Sequence, residues 1–401
     1  MALPLVMILA CLIMAYVCSA LLSKLGAPRV VGQIVAGLIL GIGALRPIFF
    51  GAVNLTVLSF LANLGIILLF YYVGLQTSFS KVTKHVKRSV LISAFNTVVP
   101  LGIGFVVMRY ALQYDVVTSI VVGAGLAVSA QAVAVDMLEE LKLIKSRIGT
   151  LLVSAGAVDD VVELVLVSVI LSVVHFATTT GGPVRQLFDL LVFIVFILVA
   201  RLWLIHAAFK FFHQEESSTS RFMGSLIILL IIVSLSEVLG AGALIGAMAA
   251  GILVRQTVFK ERDIPDWEEH DIARSIHIIA FGFLIPLFFV WIGVTTDLAL
   301  VWKNMGFIAL LTVIATVGTV GGTALATLID KGNWREGWLL GWGLNAKGDV
   351  ELVIAALALT SGVITQTIFS SLVIMSLITT LISPMVFKYL VVTYKKHGRL
   401  P

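Results

Sequence analysis

The chain has 401 residues, 60% of them hydrophobic and 12% charged, with 27 basic and 22 acidic side chains and a mean hydropathy of +1.10. A soluble domain carries about 25% charged residues, so this chain has too few polar side chains to cover a globular surface and reads as an integral membrane protein. A disulfide scaffold is excluded as well. Cys11 and Cys18 are the only cysteines, and on one helix they stand roughly 10 Å apart, beyond disulfide reach. The net charge of +5 is no sign of nucleic-acid binding, because its meaning lies in where the charges sit.

A bilayer core takes about 20 apolar residues per helix, and thirteen stretches come close to that length. In chain order they are 2–23, 28–45, 52–76, 89–109, 116–140, 147–176, 187–211, 222–240, 242–256, 275–297, 305–328, 336–360 and 366–392. The second and ninth are short. The first has no basic residue ahead of its apolar run, which argues against a signal peptide. The longest polar pieces, Gln214–Arg221 and Lys260–Arg274, are loop-sized, so no soluble domain is expected. Basic residues then set the orientation. Twenty-one follow odd-numbered spans and four follow even-numbered ones. The positive-inside rule places the N-terminus outside and the C-terminus in the cytoplasm of a multi-pass cell-membrane protein.

Two pairs of spans resemble each other. Val30–Leu40 (VVGQIVAGLIL) matches Leu244–Val254 (LIGAMAAGILV), with Gly37 falling on Gly251. Leu68–Phe79 (LLFYYVGLQTSF) matches Leu287–Leu298 (LFFVWIGVTTDL), with Gly74 falling on Gly293. Each pair joins spans of opposite direction, so the halves are related by inversion, a pattern of secondary transporters. The expected fold class is an all-α polytopic membrane protein of about 13 helices in two inverted-topology repeats. The first repeat covers 1–176, the second 222–401, and a connecting span with its loop covers 177–221.

Charges inside membrane spans are costly and mark function. Span six contains AGAVDDVVELV, Ala155–Val165. Adjacent helical residues point about 100° apart, so Asp159 and Asp160 diverge: one can face a cavity while the other faces a neighbouring helix. Glu163 follows within a turn, either as a third ligand or as the partner of another helix. Three buried acids must bind a cation, take up protons or be paired. In span five, Ser129 and Gln131 interrupt an apolar run ahead of Asp136. In span twelve, Asn345, Lys347, Gly348, Asp349 and Glu351 interrupt another. Interrupted helices at matching places in two repeats point to a binding site. Lys347 then compensates opposed C-terminal helix ends and Asp349 opposed N-terminal ends. The plainer alternative is a Lys347–Glu351 pair on an unbroken helix. The seven histidines show no ligand spacing, so no transition metal is expected. No cofactor, enzyme or nucleic-acid motif is present. The region from His270 to His277 is a candidate for pH sensing.

These residues resemble the bacterial and archaeal sodium/proton and potassium/proton antiporters of the monovalent cation:proton antiporter superfamily, in the subgroup with paired aspartates. The similarity runs through LGAPRVVGQIVAGLILG (Leu25–Gly41), LANLGIILLFYYVGLQT (Leu61–Thr77), Leu138–Arg147 with Asp159–Asp160, and PLFFVWIGVTTDL (Pro286–Leu298). It implies a homodimer with a dimerisation domain and a mobile core, and Asp160 binding cation and proton alternately with Asp159 as its partner. Relatives place a lysine in the eleventh helix opposite the first aspartate. Thr319 stands at that position here, so Asp159 either stays protonated longer, which lowers the cycle to one proton per cation, or pairs with Lys347 across the break; electrogenic exchange is the expectation.

The sequence thus predicts a secondary transporter that exchanges Na+ for protons by alternating access, with K+ as the alternative cation. A cation channel using the same carboxylates is the first rival. A two-aspartate membrane protease is disfavoured, because adjacent aspartates on one helix cannot share a proton. An organic-anion carrier is disfavoured by the acids themselves.

Overall fold

The computed structural model describes residues 3–24, 26–76, 86–178, 192, 218–239, 242–258 and 271–396. The described residues form helices and no strands. In chain order the helices are α1 (Pro4–Ser23), α2 (Arg29–Leu40), α3 (Arg46–Phe49), α4 (Ala52–Gln76), α5 (Val86–Val106), α6 (Val116–Ala127), α7 (Gln131–Glu140), α8 (Arg147–Thr178), α9 (Ser218–Val238), α10 (Ala243–Val258), α11 (Asp271–Ile279), α12 (Ile285–Thr295), α13 (Leu298–Lys303), α14 (Met305–Ile329), α15 (Trp334–Leu344), α16 (Val350–Thr360) and α17 (Gln366–Lys396). Among them eight stretches are long and apolar enough to cross a bilayer, and three shorter apolar helices join them. The protein is an all-α polytopic membrane protein.

The expected spans need two adjustments, and the expected breaks in spans five and twelve are present. Span two ends at Leu40, and 41–45 are turns leading into α3. Span ten starts earlier, at Asp271, and widens to a π-turn at Ala280–Leu284 before α12. Spans five and twelve are each two helices, α6 with α7 and α15 with α16. Span seven lies outside the described residues except for residue 192.

Local chemistry sets many of the ends. Asp115 caps α6, accepting from Thr118 N at 3.0 Å. Asp297 caps α13 through Ala299 N and Leu300 N. Asn333 caps α15, accepting from Glu336 N at 2.8 Å. Each cap satisfies a backbone donor that the first helical turn leaves free.

The helices pack as two groups. In one, α2 lies on α1 and α12, α4 on α10 and α12, and α9 on α10. In the other, α14 lies on α5, α15 and α17, while α5 contacts α6 and α8. Glycines decide the closest crossings. A Cβ on Gly37 would fall on the Val290 carbonyl and Gly293 Cα, and one on Gly293 would fall on Ile34 O. The second crossing has the same form. A Cβ on Gly74 would fall on Met248 O and Gly251 Cα, and one on Gly251 on Tyr71 O. The α2–α12 crossing therefore uses Gly37 with Gly293, and the α4–α10 crossing uses their sequence counterparts, Gly251 with Gly74.

Ion pairs tie helix ends together. Arg88 of α5 pairs with Asp330 at 3.1 Å and with Glu336 of α15 at 2.8 Å. Arg147 of α8 reaches the same Glu336 at 3.3 Å. Glu336 is buried, so two guanidinium groups offset its desolvation. Lys388 of α17 holds Glu140 of α7 at 2.6 Å.

The crossings generate a stability prediction. Gly37→Val and Gly74→Val should each cost about 1–3 kcal/mol through overpacking, read as a lower Tm of the purified protein in detergent. Gly321→Ala is the control, because a Cβ there meets nothing within 4 Å. Equal melting of the crossing variants and the control would contradict the packing described.

Candidate ion-binding site

The two helix breaks meet. Between α6 and α7 the chain runs extended, with Val128 at φ −65° and ψ 140°. Between α15 and α16, residues 345–349 leave the helix. The breaks join through one backbone hydrogen bond, Ala130 N to Ala346 O at 2.7 Å. This overturns the alternative of an unbroken helix carrying a Lys347–Glu351 pair. The carboxylate of Glu351 instead accepts from Ser376 Oγ at 2.7 Å and from Asp349 N at 3.2 Å.

Three of the four freed helix ends have a charged neighbour. The Lys347 ammonium lies 3.4 Å from the carbonyl of Ala127, the last residue of α6. Asp349 Oδ1 accepts from Val350 N, the first residue of α16, at 2.8 Å. Glu163 of α8 accepts from Ser129 N at 2.6 Å, inside the α6–α7 link. An ammonium at a C-terminal end and carboxylates at N-terminal ends have the signs that helix dipoles favour. Asn345 Nδ2 donates to Ser383 Oγ at 3.0 Å, fixing the start of the second break.

The adjacent aspartates have different surroundings. Asp159 is 2% exposed and turns to α5. Ser93 Oγ and Thr97 Oγ1 donate to its Oδ1 at 2.8 and 3.2 Å, and Asn96 Nδ2 donates to its Oδ2 at 2.6 Å. Asn96 Nδ2 also reaches Ser129 Oγ at 3.0 Å, linking this carboxylate to the α6–α7 break.

Asp160 points elsewhere and is exposed, as are Ala132 and Asp136 on α7. Gln131 opens α7. With its amide nitrogen turned toward the acid, as the surrounding donors and acceptors require, Nε2 donates to Asp160 Oδ1 and Oδ2 at 2.8 and 2.5 Å. Its oxygen then accepts from Ala157 N at 3.1 Å. Gly156 makes room for this amide, since a Cβ there would collide with the Gln131 side chain.

The structure therefore gathers Asp159, Asp160, Glu163, Ser129, Gln131, Lys347, Asp349 and Thr319 around one crossing. Thr319 of α14 is fully buried, with Oγ1 3.1 Å from Lys347 Nζ. Lys347 does not pair directly with Asp159. Among the described residues, its link to that acid runs through Ser129 and Asn96. Sequence reasoning missed Ser93, Asn96 and Thr97. Their spacing of three and four residues in an apolar span was the available signal, a polar stripe on one helix face. Of the region proposed for pH sensing, His270 lies outside the described residues. His277 stacks on Phe281 at 4.7 Å, near Tyr72.

Known proteins share this architecture. The family model "Sodium/hydrogen exchanger, transmembrane" matches residues 8–393, and the chain belongs to that family. It is 26% identical to a Na(+)/H(+) antiporter of Enterococcus hirae, over 91% of this chain and 92% of that one. Identity to the Na(+)/H(+)-K(+) antiporter GerN of Bacillus cereus is also 26%, over 91% of this chain and 90% of that one. The solved sodium proton antiporter MjNhaP1 of Methanocaldococcus jannaschii superposes with a TM-score of 0.68 at 16% identity, covering 96% of each chain. The last likeness is one of fold.

The α5 contacts generate a second prediction. Asn96→Ala removes a hydrogen bond to a buried carboxylate, which should cost about 1.5–3 kcal/mol. Val98→Ala, on the exposed side of the same helix, should cost far less. Thermal unfolding of both variants checks this, and equal Tm values would show that Asn96 does not hold Asp159.

Proposed function

We propose that the chain exchanges Na+ for protons by alternating access, and that Asp160 binds the two ions in turn. The observation that carries this reading is the contrast between the neighbouring acids. Asp159 has three donors from α5, whereas Asp160 is exposed and held by a neutral amide. An ionised carboxylate in a membrane interior costs several kcal/mol unless compensated. A proton or a monovalent cation supplies the compensation at Asp160, and the two cannot occupy the same oxygens together. Gln131 and the polar groups of the α6–α7 link stand beside it to complete the cation's shell, so a loaded site is neutralised by its cargo.

The family and its relatives' names support cation/proton exchange, with sodium first and potassium as the alternative. The reciprocal glycine crossings support an inverted repeat, in which the site lies between the halves. The distribution of basic residues supports an outside N-terminus and a cytoplasmic C-terminus. The α5–α8 and α14–α17 group is the part that carries the site, moving against the α2, α4, α10 and α12 scaffold. A homodimer formed through that scaffold follows from the family resemblance.

Proteoliposomes test the reading. Na+ added outside should drive proton release from vesicles holding the native protein. Asp160→Asn should abolish it while leaving the protein folded in the membrane, because an amide cannot cycle a proton at neutral pH. Native exchange rates in that variant would refute the assignment.

A further inference from the structure

Of the four helix ends freed by the two breaks, the C-terminal end of α15 at Leu344 is the one without a charged neighbour. Its free carbonyls carry the partial negative charge of a helix end, yet α15 has no basic residue in its last turn. Lys347 follows three residues later, but its ammonium is spent on Ala127 O, Ser129 Oγ and Thr319 Oγ1. The residue that closes α15 is neutral. Asn345 is fully buried; its Nδ2 donates to Ser383 Oγ at 3.0 Å and reaches Thr316 Oγ1 at 3.4 Å. Its Oδ1 has no hydrogen-bond partner among the described residues.

α17 brings a second such oxygen to the same break. Ser376, Thr380 and Ser383 share one face of that helix, at spacings of four and three residues. Ser376 Oγ donates to Lys347 O at 3.0 Å, and Ser383 holds Asn345. Thr380 lies between them, 1% exposed, and its Oγ1 has no partner among the described residues. It stands against the backbone of Gly348, 3.3 Å from where a Cβ would lie. Buried polar atoms without partners are costly, above all in a membrane interior. Here two of them flank an uncompensated C-terminal end. The wider charge has the same sign. Glu351, Asp159 and Glu163 are in electrostatic range of Lys347, and Asp160 and Asp349 stand at the same crossing, so added positive charge is favoured there.

We propose that the end of α15 binds a second monovalent cation, separate from the one at Asp160, through Asn345 Oδ1, Thr380 Oγ1 and the free carbonyls of α15. Neutral oxygens of this kind replace the water shell of an alkali cation. The ion does for α15 what an ammonium does for α6. Its donors lie on α15 and α17 alone, so it stays with these helices as a resident ion. The site stands on the geometry of the second break, whether or not Asp160 is the residue that exchanges.

The test uses purified Asp160→Asn protein in detergent, which lacks the carboxylate assigned to exchange. Its Tm is read while NaCl or KCl replaces choline chloride at constant ionic strength. A bound cation raises Tm in a saturable way, and this rise should persist in Asp160→Asn. Adding Thr380→Val should raise the half-saturating cation concentration about tenfold, because an oxygen that meets the ion is lost. In choline alone that variant should melt no lower than its parent, since the hydroxyl it removes is unpaired. Adding Asn345→Asp instead should lower the half-saturating concentration about tenfold, by putting a charge on the ligand.

A Tm indifferent to Na+ and K+ would leave an ordered water only at this place and overturn the proposal. So would a half-saturating concentration that neither variant moves, which puts the stabilising ion elsewhere, or a lower Tm of Thr380→Val in choline, which gives the hydroxyl a protein partner. Should one variant not be recovered folded, the other decides alone: the stated shift supports the site and its absence overturns it. Exchange by Asp160→Asn in proteoliposomes refutes the role of Asp160 separately and leaves this result as it is.

Discussion

One backbone hydrogen bond, from Ala130 N to Ala346 O, joins two interrupted helices where they cross. Most of the site follows from that crossing. Breaking a helix frees carbonyls at one end and N–H groups at the other, and in a membrane interior neither set has water to turn to. The chain answers with side chains of suitable charge: Lys347 at the end of α6, Asp349 at the start of α16 and Glu163 on the link before α7. Freed backbone groups and ionisable side chains thus come together at one place in the fold.

The crossing also explains why the paired aspartates differ. Asp159 is absorbed into the fixed framework by Ser93, Asn96 and Thr97, and Asn96 ties that framework to Ser129 in the break. Asp160 is turned away from α5 by the helical angle between neighbours and meets Gln131 at the first turn of α7. One acid is thereby built into the structure, and the other meets a single neutral amide and stays exposed. The scaffold around them is set differently, by glycine contacts between continuous helices at Gly37–Gly293 and Gly74–Gly251. Those contacts leave no room for side chains at either crossing.

Much of this was legible in the sequence, for physical reasons. The all-helical membrane architecture, the broken spans and the acids of α8 all follow from the cost of polar groups in hydrocarbon, which makes Asp159, Asp160, Lys347 and Asp349 conspicuous. The glycine matches between halves pointed to an inverted repeat, and the same glycines form the two crossings. Neutral residues were harder to read. Ser93 and Thr97 cost little in a helix, where hydroxyls can satisfy themselves on the backbone, so only their spacing with Asn96 on one helix face, and not their composition, set a carboxylate's donors apart. The contact between Thr319 and Lys347 depends on how α14 packs against the break, which no local pattern records. The short reach of α2 was missed for a related reason: the apolar run continues through 41–45, but turns end the helix there.

Competition between proton and cation at a single carboxylate is the central claim, and the pH dependence of cation affinity tests it most directly. The half-saturating Na+ concentration for exchange should be measured in proteoliposomes across a series of pH values equal on both sides. Competition predicts that on the acid side it rises in proportion to proton concentration, about tenfold per pH unit for one shared site. A half-saturating concentration that stays constant while only the maximal rate changes would mean that proton and cation bind at separate places, and would contradict the account.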